Sequence, residues 1–234
     1  MTNPKQTVLV TGACGNLGRA VAAAFAQRGA DLVLFDRDAA QLAAVFGPDG
    51  ASQLCVAVDL LDAEASAQAV GKAVERFGRI DVLCNLAGGF RMGDPVHATA
   101  DATWDFLFGL NARTVLNMAR AVVPAMLAAG RGAIVNVGAA AAARGDAQMG
   151  AYAASKSAVA RLTESMAAEL REQGINVNCV LPTILDTPEN RKDMPQADPA
   201  RWVAPAALAD VIVFLASDAA RAIHGASIPV SGLS

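Results

Sequence analysis

The stretch TVLVTGACGNLGRAVAAAFA, residues 7–26, indicates the fold of the chain. An apolar run typical of a buried strand leads into a glycine-rich turn, and an alanine-rich helical pattern follows. Such a turn brings backbone N–H groups close to a pyrophosphate, and the positive end of the helix dipole favours the negative charge. The pattern predicts a dinucleotide site with contacts from Gly12, Gly15, Asn16, Leu17 and Gly18. A turn whose glycines serve packing alone is the other interpretation.

Apolar runs and helical patterns alternate along the whole chain. The predicted strands are 7–11, 31–35, 54–58, 80–85, 133–137, 175–181 and 226–230, and the predicted helices are 16–29, 38–46, 62–77, 101–129, 150–173 and 205–216. Four helices are predicted to end at glycines, at positions 29, 78, 130 and 174. Strand–helix–strand repeats favour right-handed crossovers and a parallel sheet. We expect one domain over residues 1–234, an α/β Rossmann-like, doubly wound parallel sheet of about seven strands in the order 3-2-1-4-5-6-7.

Composition argues against several classes of function. The chain has 234 residues and a net charge of −3, and its 19 Lys and Arg residues are scattered, which argues against nucleic-acid binding. No apolar stretch of 18 residues is free of polar breaks, so no membrane span is expected. The four cysteines show no CxxC spacing and no cluster has metal-ligand spacing, so no metal is expected. Buried free thiols and the absence of a signal-peptide pattern indicate a cytoplasmic protein.

Acidic residues follow the second and third predicted strands. Asp36 stands where a carboxylate accepts hydrogen bonds from the ribose hydroxyls of NAD and repels the 2′-phosphate of NADP, so NADH is expected over NADPH. Arg37, the next residue, offers a positive charge to that phosphate and is included among the cofactor contacts. Asp59 and Leu60 are expected at the adenine edge. For both acids the alternative is a helix N-cap, and Asp38 suits the first of these caps at least as well.

The sequence NLAGG, residues 85–89, ends the fourth predicted strand. Its small residues let the backbone lie close to a cofactor, so Asn85, Ala87 and Gly88 are predicted contacts. Asn111 lies within the predicted helix 101–129, where an amide that faces the core needs a hydrogen-bond partner. Exposure of that amide to solvent is the alternative interpretation.

Tyr152, the only tyrosine, stands four residues before Lys156 in a helical pattern, so both side chains share one face of the helix. A phenol has a pKa of about 10, and a nearby cation lowers it, which makes the pair a candidate for acid–base catalysis. Between Asn136 and Tyr152 the chain reads VGAAAAARGDAQMGA, without a Ser or Thr. The predicted site therefore has a proton donor and no hydroxyl group from the preceding segment.

These motifs, in this order and over nearly the whole chain, resemble those of the short-chain dehydrogenase/reductase family. The resemblance implies hydride transfer between a nicotinamide cofactor and a small-molecule substrate. It implies that Tyr152 gives or takes the proton, and that Lys156 lowers the pKa of Tyr152 and holds the nicotinamide ribose. Asn111 is implied to anchor a water molecule that leads toward Lys156. Contacts with the nicotinamide are implied for Pro182, Leu185 and Thr187.

The chain departs from the family pattern at three positions. Asn16 replaces the second glycine of the turn, Thr183 replaces a glycine after the sixth strand, and Ala139 stands where the family keeps a catalytic serine. Loss of a donor to a developing oxyanion costs about 3–4 kcal/mol in comparable sites. Gln148 is the polar side chain near the proton donor that offers a replacement for the missing hydroxyl.

Within the family, residues 138–200 most closely resemble dihydropteridine reductases, which reduce quinonoid dihydropterin with NADH. The shared strings are LPTILDTPENRKDMPQAD, AGGF and the hydroxyl-free run before Tyr152. A conjugated imine-like ring has no carbonyl oxygen for a serine to hold, so this resemblance accounts for Ala139. It implies reduction of a conjugated imine or quinonoid ring. The alternatives are a general alcohol/ketone dehydrogenase and a non-catalytic, dinucleotide-binding regulatory protein.

The proline-rich segment 182–200 is predicted to be an irregular substrate loop. The other expected substrate contacts are Ala139, Gln148, Met149 and Phe90, with packing as the alternative for each. Helices 101–129 and 150–173 carry long apolar faces, and the family resemblance implies that these faces pair in a homodimer or homotetramer.

Overall fold

A computed structural model describes residues 5–234 and contains one sheet of seven parallel strands in the order β3-β2-β1-β4-β5-β6-β7. The predicted α/β fold and strand order are confirmed. The strands are β1 (Thr7–Thr11), β2 (Asp31–Asp36), β3 (Gln53–Ala57), β4 (Val82–Asn85), β5 (Gly132–Val137), β6 (Ile175–Pro182) and β7 (Ser227–Val230). The helices are α1 (Asn16–Ala26), α2 (Ala39–Phe46), α3 (Ala63–Phe77), α4 (Asp101–Phe108), α5 (Thr114–Ala129), α6 (Gly150–Leu170), α7 (Pro188–Asp193) and α8 (Pro205–Leu215).

The sheet is buried on both faces because successive side chains of a strand point in opposite directions. Val8 and Val10 of β1 pack in the layer formed with α1 and α8. Leu9, which lies between them, packs with Ile134 in the layer formed with α3 and α5. Double burial explains why the strands read as continuous apolar runs. Truncation of Leu9 to Ala is expected to destabilise the fold by about 2–5 kcal/mol.

The predicted helix 101–129 is not a regular α-helix. A π-helical turn, Gly109–Arg113, joins α4 to α5 and holds Asn111 at 1% exposure. A π-turn inserts one extra residue into a helix and frequently marks a functional site. The apolar pattern continues on both sides of the turn, so the sequence did not reveal it.

The prediction that residues 182–200 form an irregular loop is wrong in part. The segment contains α7 and a 3₁₀ turn, Pro199–Arg201, and each begins with a proline. The side chain of Thr187 accepts a hydrogen bond from the backbone N–H of Asn190 at 3.2 Å and so caps α7. Proline has no N–H, and the first turn of a helix leaves its N–H groups unpaired in any case. The prolines therefore begin short helical elements here instead of excluding them.

The four glycines predicted to end helices adopt the left-handed conformation that suits this role. The φ angles of Gly29, Gly78, Gly130 and Gly174 are 78°, 78°, 63° and 75°. Among the helices of the described residues, none has both the length and the apolar character needed to span a bilayer. Over the same residues, no group of three or more His, Cys, Asp or Glu side chains is arranged to hold a metal ion.

Candidate active site

The glycine-rich turn connects β1 to α1 and packs against the end of β4. The hydroxyl of Thr11 accepts hydrogen bonds from the backbone N–H groups of Leu86 (3.0 Å) and Ala87 (3.1 Å). Gly12 has a φ of 63°, and a Cβ atom there would lie 3.0 Å from Ala87 Cα. A Cβ atom on Gly18 would lie 2.2 Å from the carbonyl oxygen of Gly12. Close packing thus explains both glycines, and it brings the NLAGG segment against the turn.

The first turn of α1 is open to an anion. Gly15, at the N-cap, offers no side chain to the N–H groups of the first turn, and no acidic residue lies in that turn. Unpaired N–H groups at a helix N-terminus attract negative charge. Asn16 begins the helix, whereas the side chain of Leu17 packs in the core and leaves only its backbone for the predicted contact.

Asp36 stands at the end of β2 beside the turn. Its carboxylate accepts hydrogen bonds from the backbone N–H groups of Cys14 (2.9 Å) and Arg37 (2.7 Å). Asp38, and not Asp36, caps α2 through the N–H groups of the following residues. Asp36 is half-buried and Arg37 is exposed. The carboxylate oxygens retain lone pairs for further donors, and the N-cap interpretation of Asp36 is wrong.

Asp59 also is not a helix cap. Its carboxylate accepts a hydrogen bond from Leu61 N at 2.9 Å, and Asp62 caps α3. The side chain of Asp59 is exposed at the end of the sheet, and Leu60 is 7% exposed. The carbonyl oxygen of Leu60 accepts a hydrogen bond from Asn117 at 2.8 Å, so this residue is fixed by the helix behind it.

The side chain of Asn85 belongs to the interior. Its amide donates a hydrogen bond of 2.9 Å to Asn136, whose own amide donates to the hydroxyl of Thr163 at 2.8 Å. Asn85 is 4% exposed and Asn136 is fully buried. Buried amides require such partners, so this chain of hydrogen bonds joins β4 and β5 to α6. The predicted contact of Asn85 with a cofactor stays a prediction, and it concerns the backbone.

Asn111 joins the π-turn to the NLAGG segment and to α6. Its amide oxygen accepts a hydrogen bond from Gly89 N at 2.8 Å, and its amide nitrogen donates to Gly89 O (3.1 Å) and Ser155 Oγ (2.9 Å). The interpretation of Asn111 as a solvent-exposed helical residue is therefore wrong. A Cβ atom on Gly88 would lie 3.0 Å from Asn111 Oδ1 and 3.2 Å from Lys156 Nζ. The small residues of NLAGG thus let the backbone lie directly beside the lysine.

Lys156 is a buried lysine with one hydrogen bond to the backbone. Its ammonium donates to the carbonyl oxygen of Val137, at the end of β5, at 2.9 Å, and the residue is 6% exposed. Burial disfavours the charged form and lowers the pKa of Lys156 to about 8. Tyr152, one helical turn earlier on α6, is half-buried at the carboxyl edge of the sheet.

The expected lowering of the Tyr152 pKa by Lys156 is not observed in this structure. Burial raises the pKa of Tyr152 to about 12. Loss of solvation disfavours the phenolate, and the Lys156 ammonium donates its hydrogen bond to Val137 instead. The phenol is consequently protonated at neutral pH and suited to donate a proton.

The segment between Asn136 and Tyr152 contains no Ser or Thr, so it supplies no hydroxyl group to the Tyr152 phenol. Ala139, at 6% exposure, is extended and leads into a 3₁₀ turn, Ala140–Ala142. The two serines of α6 near Tyr152 are committed elsewhere. Ser155 donates to the carbonyl oxygen of Tyr152 at 2.8 Å, and Ser157 donates to that of Ala142 at 2.8 Å.

Phe90 contacts the proton donor. The rings of Phe90 and Tyr152 meet edge to face with 4.8 Å between centroids, and Phe90 is 55% exposed. Gln148 has a φ of 62°, and its carbonyl oxygen accepts a hydrogen bond from Gly93 N at 3.0 Å. Met149 is half-buried at the N-cap of α6. The Gln148 side chain is exposed, so its backbone, not its amide, joins the two segments beside the cleft.

The substrate segment after β6 is attached to the glycine-rich turn. The amide of Asn16 donates a hydrogen bond of 2.8 Å to the carboxylate of Glu189 in α7. Leu185 forms a β-bridge with Val203, and Pro182 is the last residue of β6. Thr187, at 8% exposure, is the N-cap of α7. The predicted nicotinamide contacts thus lie on a segment fixed at both ends.

Two residues with contacts near the site were missed by sequence reasoning. Glu189 forms the hydrogen bond to Asn16. The only feature of the sequence that pointed to Glu189 was its position directly after Thr187 and Pro188. Arg91 lies over the ring of Phe106, with 3.7 Å from its guanidinium carbon to the ring centroid. Its signal was a single basic residue immediately after AGGF. Neither position has a periodicity that predicts its partner, because both partners are distant in sequence.

One cavity of the molecule lies away from the carboxyl edge of the sheet. A cavity of about 720 Å³ opens at the opposite edge, lined in part by Lys5, Arg131 and Arg171. The residues described above converge instead at the ends of β1, β4 and β5, where ligands bind in open parallel sheets. The chemistry of the side chains, and not the volume of a cavity, identifies the candidate site.

Comparisons with known proteins extend over nearly the whole chain. A family model described as short chain dehydrogenase matches residues 6–198. The D-threitol dehydrogenase of Mycolicibacterium smegmatis is 38% identical, covering 97% of this chain and 92% of that protein. The cis-4-hydroxycyclohexanecarboxylate dehydrogenase of Sinomonas cyclohexanicum is 35% identical, covering 97% and 96%. Among solved structures, 3-ketoacyl-(acyl-carrier-protein) reductase from Brucella melitensis complexed with NADH has a TM-score of 0.87 at 30% identity, covering 97% of each chain.

Proposed function

The chain belongs to the short-chain dehydrogenase family, and from this premise we propose that it is an NAD(H)-dependent oxidoreductase with Tyr152 as its acid–base catalyst. The family binds nicotinamide dinucleotides, which supply or accept the hydride. The residues present fit such a group. The open N-terminus of α1 suits a pyrophosphate, Asp36 suits the adenosine ribose, and the Gly88 backbone lies directly beside Lys156.

The protonation states suit Tyr152 to the role of proton donor in the reductive half of the reaction. Tyr152, with a pKa of about 12, holds its proton at neutral pH and can give it to a substrate atom that receives a hydride. Lys156, with a pKa of about 8, is still mostly charged at neutral pH. Its ammonium is bonded to Val137 in this structure, and it would stabilise negative charge on the phenol oxygen by leaving that acceptor. Asn111 acts as a positioning residue, because its three hydrogen bonds fix Gly89 and Ser155 around the pair.

Preference for NADH over NADPH rests on Asp36. A carboxylate at the end of the second strand accepts hydrogen bonds from ribose hydroxyls and repels a 2′-phosphate. In this chain the carboxylate is fixed by the N–H groups of Cys14 and Arg37, which leaves lone pairs directed outward for the ribose. Arg37 is exposed and offers a positive charge next to it, but the carboxylate occupies the discriminating strand end.

The substrate proposal rests on one observation, which is Ala139 in place of a hydroxyl donor. A ketone reduction develops negative charge on oxygen, and removal of one donor to that charge costs about 3–4 kcal/mol in comparable sites. Ser155 and Ser157 do not replace the donor, since both are bonded to backbone carbonyl groups. A conjugated imine or quinonoid ring, as in dihydropteridine reductases, needs a proton more than it needs an oxyanion to be held. We therefore favour such a ring as substrate.

An alcohol/ketone dehydrogenase is the second candidate, and the names of relatives support it. The matched proteins include a D-threitol dehydrogenase and a cis-4-hydroxycyclohexanecarboxylate dehydrogenase, both of which are named for hydroxyl-bearing substrates. Under this candidate Tyr152 alone would hold the substrate oxygen. A dinucleotide-binding regulatory protein without turnover is the third candidate, and the intact Tyr152–Lys156 pair argues against it.

A substrate panel separates the three candidates. NADH oxidation is followed with quinonoid dihydropterin, a neutral quinone and a cyclic ketone, and NAD reduction with threitol and a cyclic alcohol. Turnover of the conjugated rings that is lost in Tyr152→Phe supports the first candidate. Turnover of ketone and alcohol alone supports the second candidate. Tight NADH binding without any turnover supports the third.

We further propose a homodimer or homotetramer formed through α5 and α6. A groove of about 390 Å³ lies between these helices, lined by apolar side chains that include Val115, Val123, Leu162 and Met166. A two-fold axis would place this groove against itself, as isologous interfaces require. Light scattering of the purified protein measures the mass, and a Val123→Glu variant should shift it toward the monomer.

A cytoplasmic location is proposed from the cysteines. All four, Cys14, Cys55, Cys84 and Cys179, are free thiols, and three of them are buried. Reducing compartments maintain thiols in this state. Fractionation of cells that express the full chain tests the location.

A further inference from the structure

The segment that follows NLAGG contacts Tyr152. Phe90 presents its ring to Tyr152 edge to face and is 55% exposed on its other side. Burial of an aromatic ring is favourable, so an exposed phenylalanine next to a proton donor is available to a ligand. A planar ring held against Phe90 would stand next to the phenol that protonates it.

Arg91, the next residue, is held in place by an aromatic ring. Its guanidinium carbon lies 3.7 Å from the centroid of Phe106, within the range of a cation–π interaction. Phe106 is in turn fixed against the backbone of the same segment, because a Cβ atom on Gly89 would lie 2.9 Å from its ring. The cation is therefore held two residues from Gly89, whose N–H is bonded to Asn111.

Arg91 has no acidic partner. Over residues 5–234, the ion pairs within 4.0 Å do not include Arg91, and its guanidinium makes no hydrogen bond to another described residue. Arg144, on the segment across the cleft, is paired with Asp146 at 3.4 Å. The two segments are joined by the Gly93–Gln148 hydrogen bond of 3.0 Å. Among the described residues, the exposed guanidinium of Arg91 thus keeps its hydrogen-bond donors free for a ligand.

We infer that Arg91 binds a carboxylate on the substrate while Phe90 contacts the substrate ring. A guanidinium presents two parallel N–H groups, which match the two oxygens of a carboxylate. The single charge of Arg91 matches one negative charge on a ligand. Because the guanidinium is already held on Phe106, the side chain loses little conformational freedom when it binds. The inference rests on the proposed function, since it adds a substrate class, a ring that carries a carboxylate, to the site of Tyr152.

The test compares two ketones of nearly equal shape, a cyclohexanone with a charged 4-carboxylate and one with a neutral 4-carboxamide, beside a matched pair of quinones. We expect wild type to favour the carboxylate member of whichever pair it reduces. In R91Q the ratio of kcat/KM between carboxylate and carboxamide should fall by at least about tenfold, as for loss of a charged hydrogen bond. R91K should fall in between, because an ammonium cannot bond bidentately. R161Q, which removes a guanidinium paired with Glu164 on α6, is the control and should leave the ratio unchanged.

A binding measurement separates failure of this inference from failure of the proposed function. Calorimetry with benzoate and with benzamide is carried out on the NADH-loaded enzyme. Tighter binding of benzoate that is lost in R91Q supports the carboxylate site even when no substrate of the panel is turned over. Equal affinity for the two ligands, or an equal ratio of kcat/KM in wild type and R91Q, overturns the inference even when turnover is brisk.

Discussion

The side-chain amide of Asn16, at the start of α1, donates a hydrogen bond of 2.8 Å to the carboxylate of Glu189 in α7. These residues are 173 positions apart, and their contact attaches the substrate segment to the glycine-rich turn. Asn16 occupies the position of a glycine in the family pattern, and a glycine has no side chain that could make this bond. Hydrogen bonds from its own backbone N–H, from Thr187 and from Asn16 lower the pKa of Glu189, so a negative charge stands near the proposed pyrophosphate site.

Glu189→Gln should tighten NADH binding severalfold at low ionic strength. The amide keeps an acceptor for Asn16 and removes a charge that repels the pyrophosphate. The gain in NADH affinity should shrink in 0.5 M salt, because the Debye length there is only about 4 Å and the repulsion is screened. Fluorescence titration of NADH measures the affinity. Glu172→Gln, at the other edge of the sheet, is the matched control. Weaker binding in Glu189→Gln would show that the carboxylate supports the cofactor instead of opposing it.

Tyr152→Phe should lower kcat for NADH-dependent reduction by at least about 100-fold, because it removes the proton donor. The ring that contacts Phe90 is retained, so NADH affinity and thermal stability should change little. Steady-state kinetics with the best substrate of the panel provide the measurement. A variant that retains most of its activity rules out Tyr152 as the acid.

Ala139→Ser should raise kcat for a cyclic ketone by about tenfold or more, because it restores a donor to the developing oxyanion. The same change should leave the rate with a conjugated imine or quinonoid ring near that of wild type. Ala140→Ser, one residue along and exposed, controls for a general effect of serine in this turn. An unchanged kcat for the ketone in Ala139→Ser would contradict the idea that residue 139 lies where a donor to the substrate oxyanion is missing.

Asp36→Asn should narrow the difference between the KM values for NADH and NADPH. The amide keeps an oxygen that accepts from Cys14 N, so the turn should hold its conformation while the charge is lost. Asp36→Ala removes that bond as well and should also lower Tm. Both variants are compared in initial-rate kinetics with the two cofactors. A wild-type enzyme that prefers NADPH contradicts the role given to Asp36.

The pH dependence of stability should report the burial of Lys156. Its pKa is about 8 in the folded protein and 10.5 ordinarily, so between these values the unfolded chain binds a proton that the folded chain does not. Stability of wild type relative to Lys156→Met should therefore rise with pH over this window, by up to about 2 kcal/mol from pH 8 to 9.5. Urea unfolding at pH 7.0, 8.0 and 9.5 measures the difference. A constant difference shows that Lys156 is not perturbed.

Local patterns in the sequence predicted most of the fold. The strands are buried on both faces, so they read as apolar runs, and α3 and α5 end at predicted glycines that adopt positive φ angles. Thr187 and Pro188 are also a local signal for a helix start, but the density of prolines in 182–200 concealed it. The π-turn at Asn111 left no mark on the apolar period, because one inserted residue shifts the pattern by less than a turn.

The strands, the helices and the Tyr152–Lys156 pair could be predicted from periodicity and spacing within single elements. The order of the strands was expected from the Rossmann-like pattern that these elements form. Which side chains contact one another could be learned only from the folded chain. In the folded chain the side chain of Asn85 is buried in the core, Asn16 is hydrogen-bonded to Glu189, and Arg91 stacks on Phe106. Burial in the folded chain also raises the pKa of Tyr152 and lowers that of Lys156. Such contacts and the loss of solvation depend on residues far apart in the chain, and no local pattern encodes them.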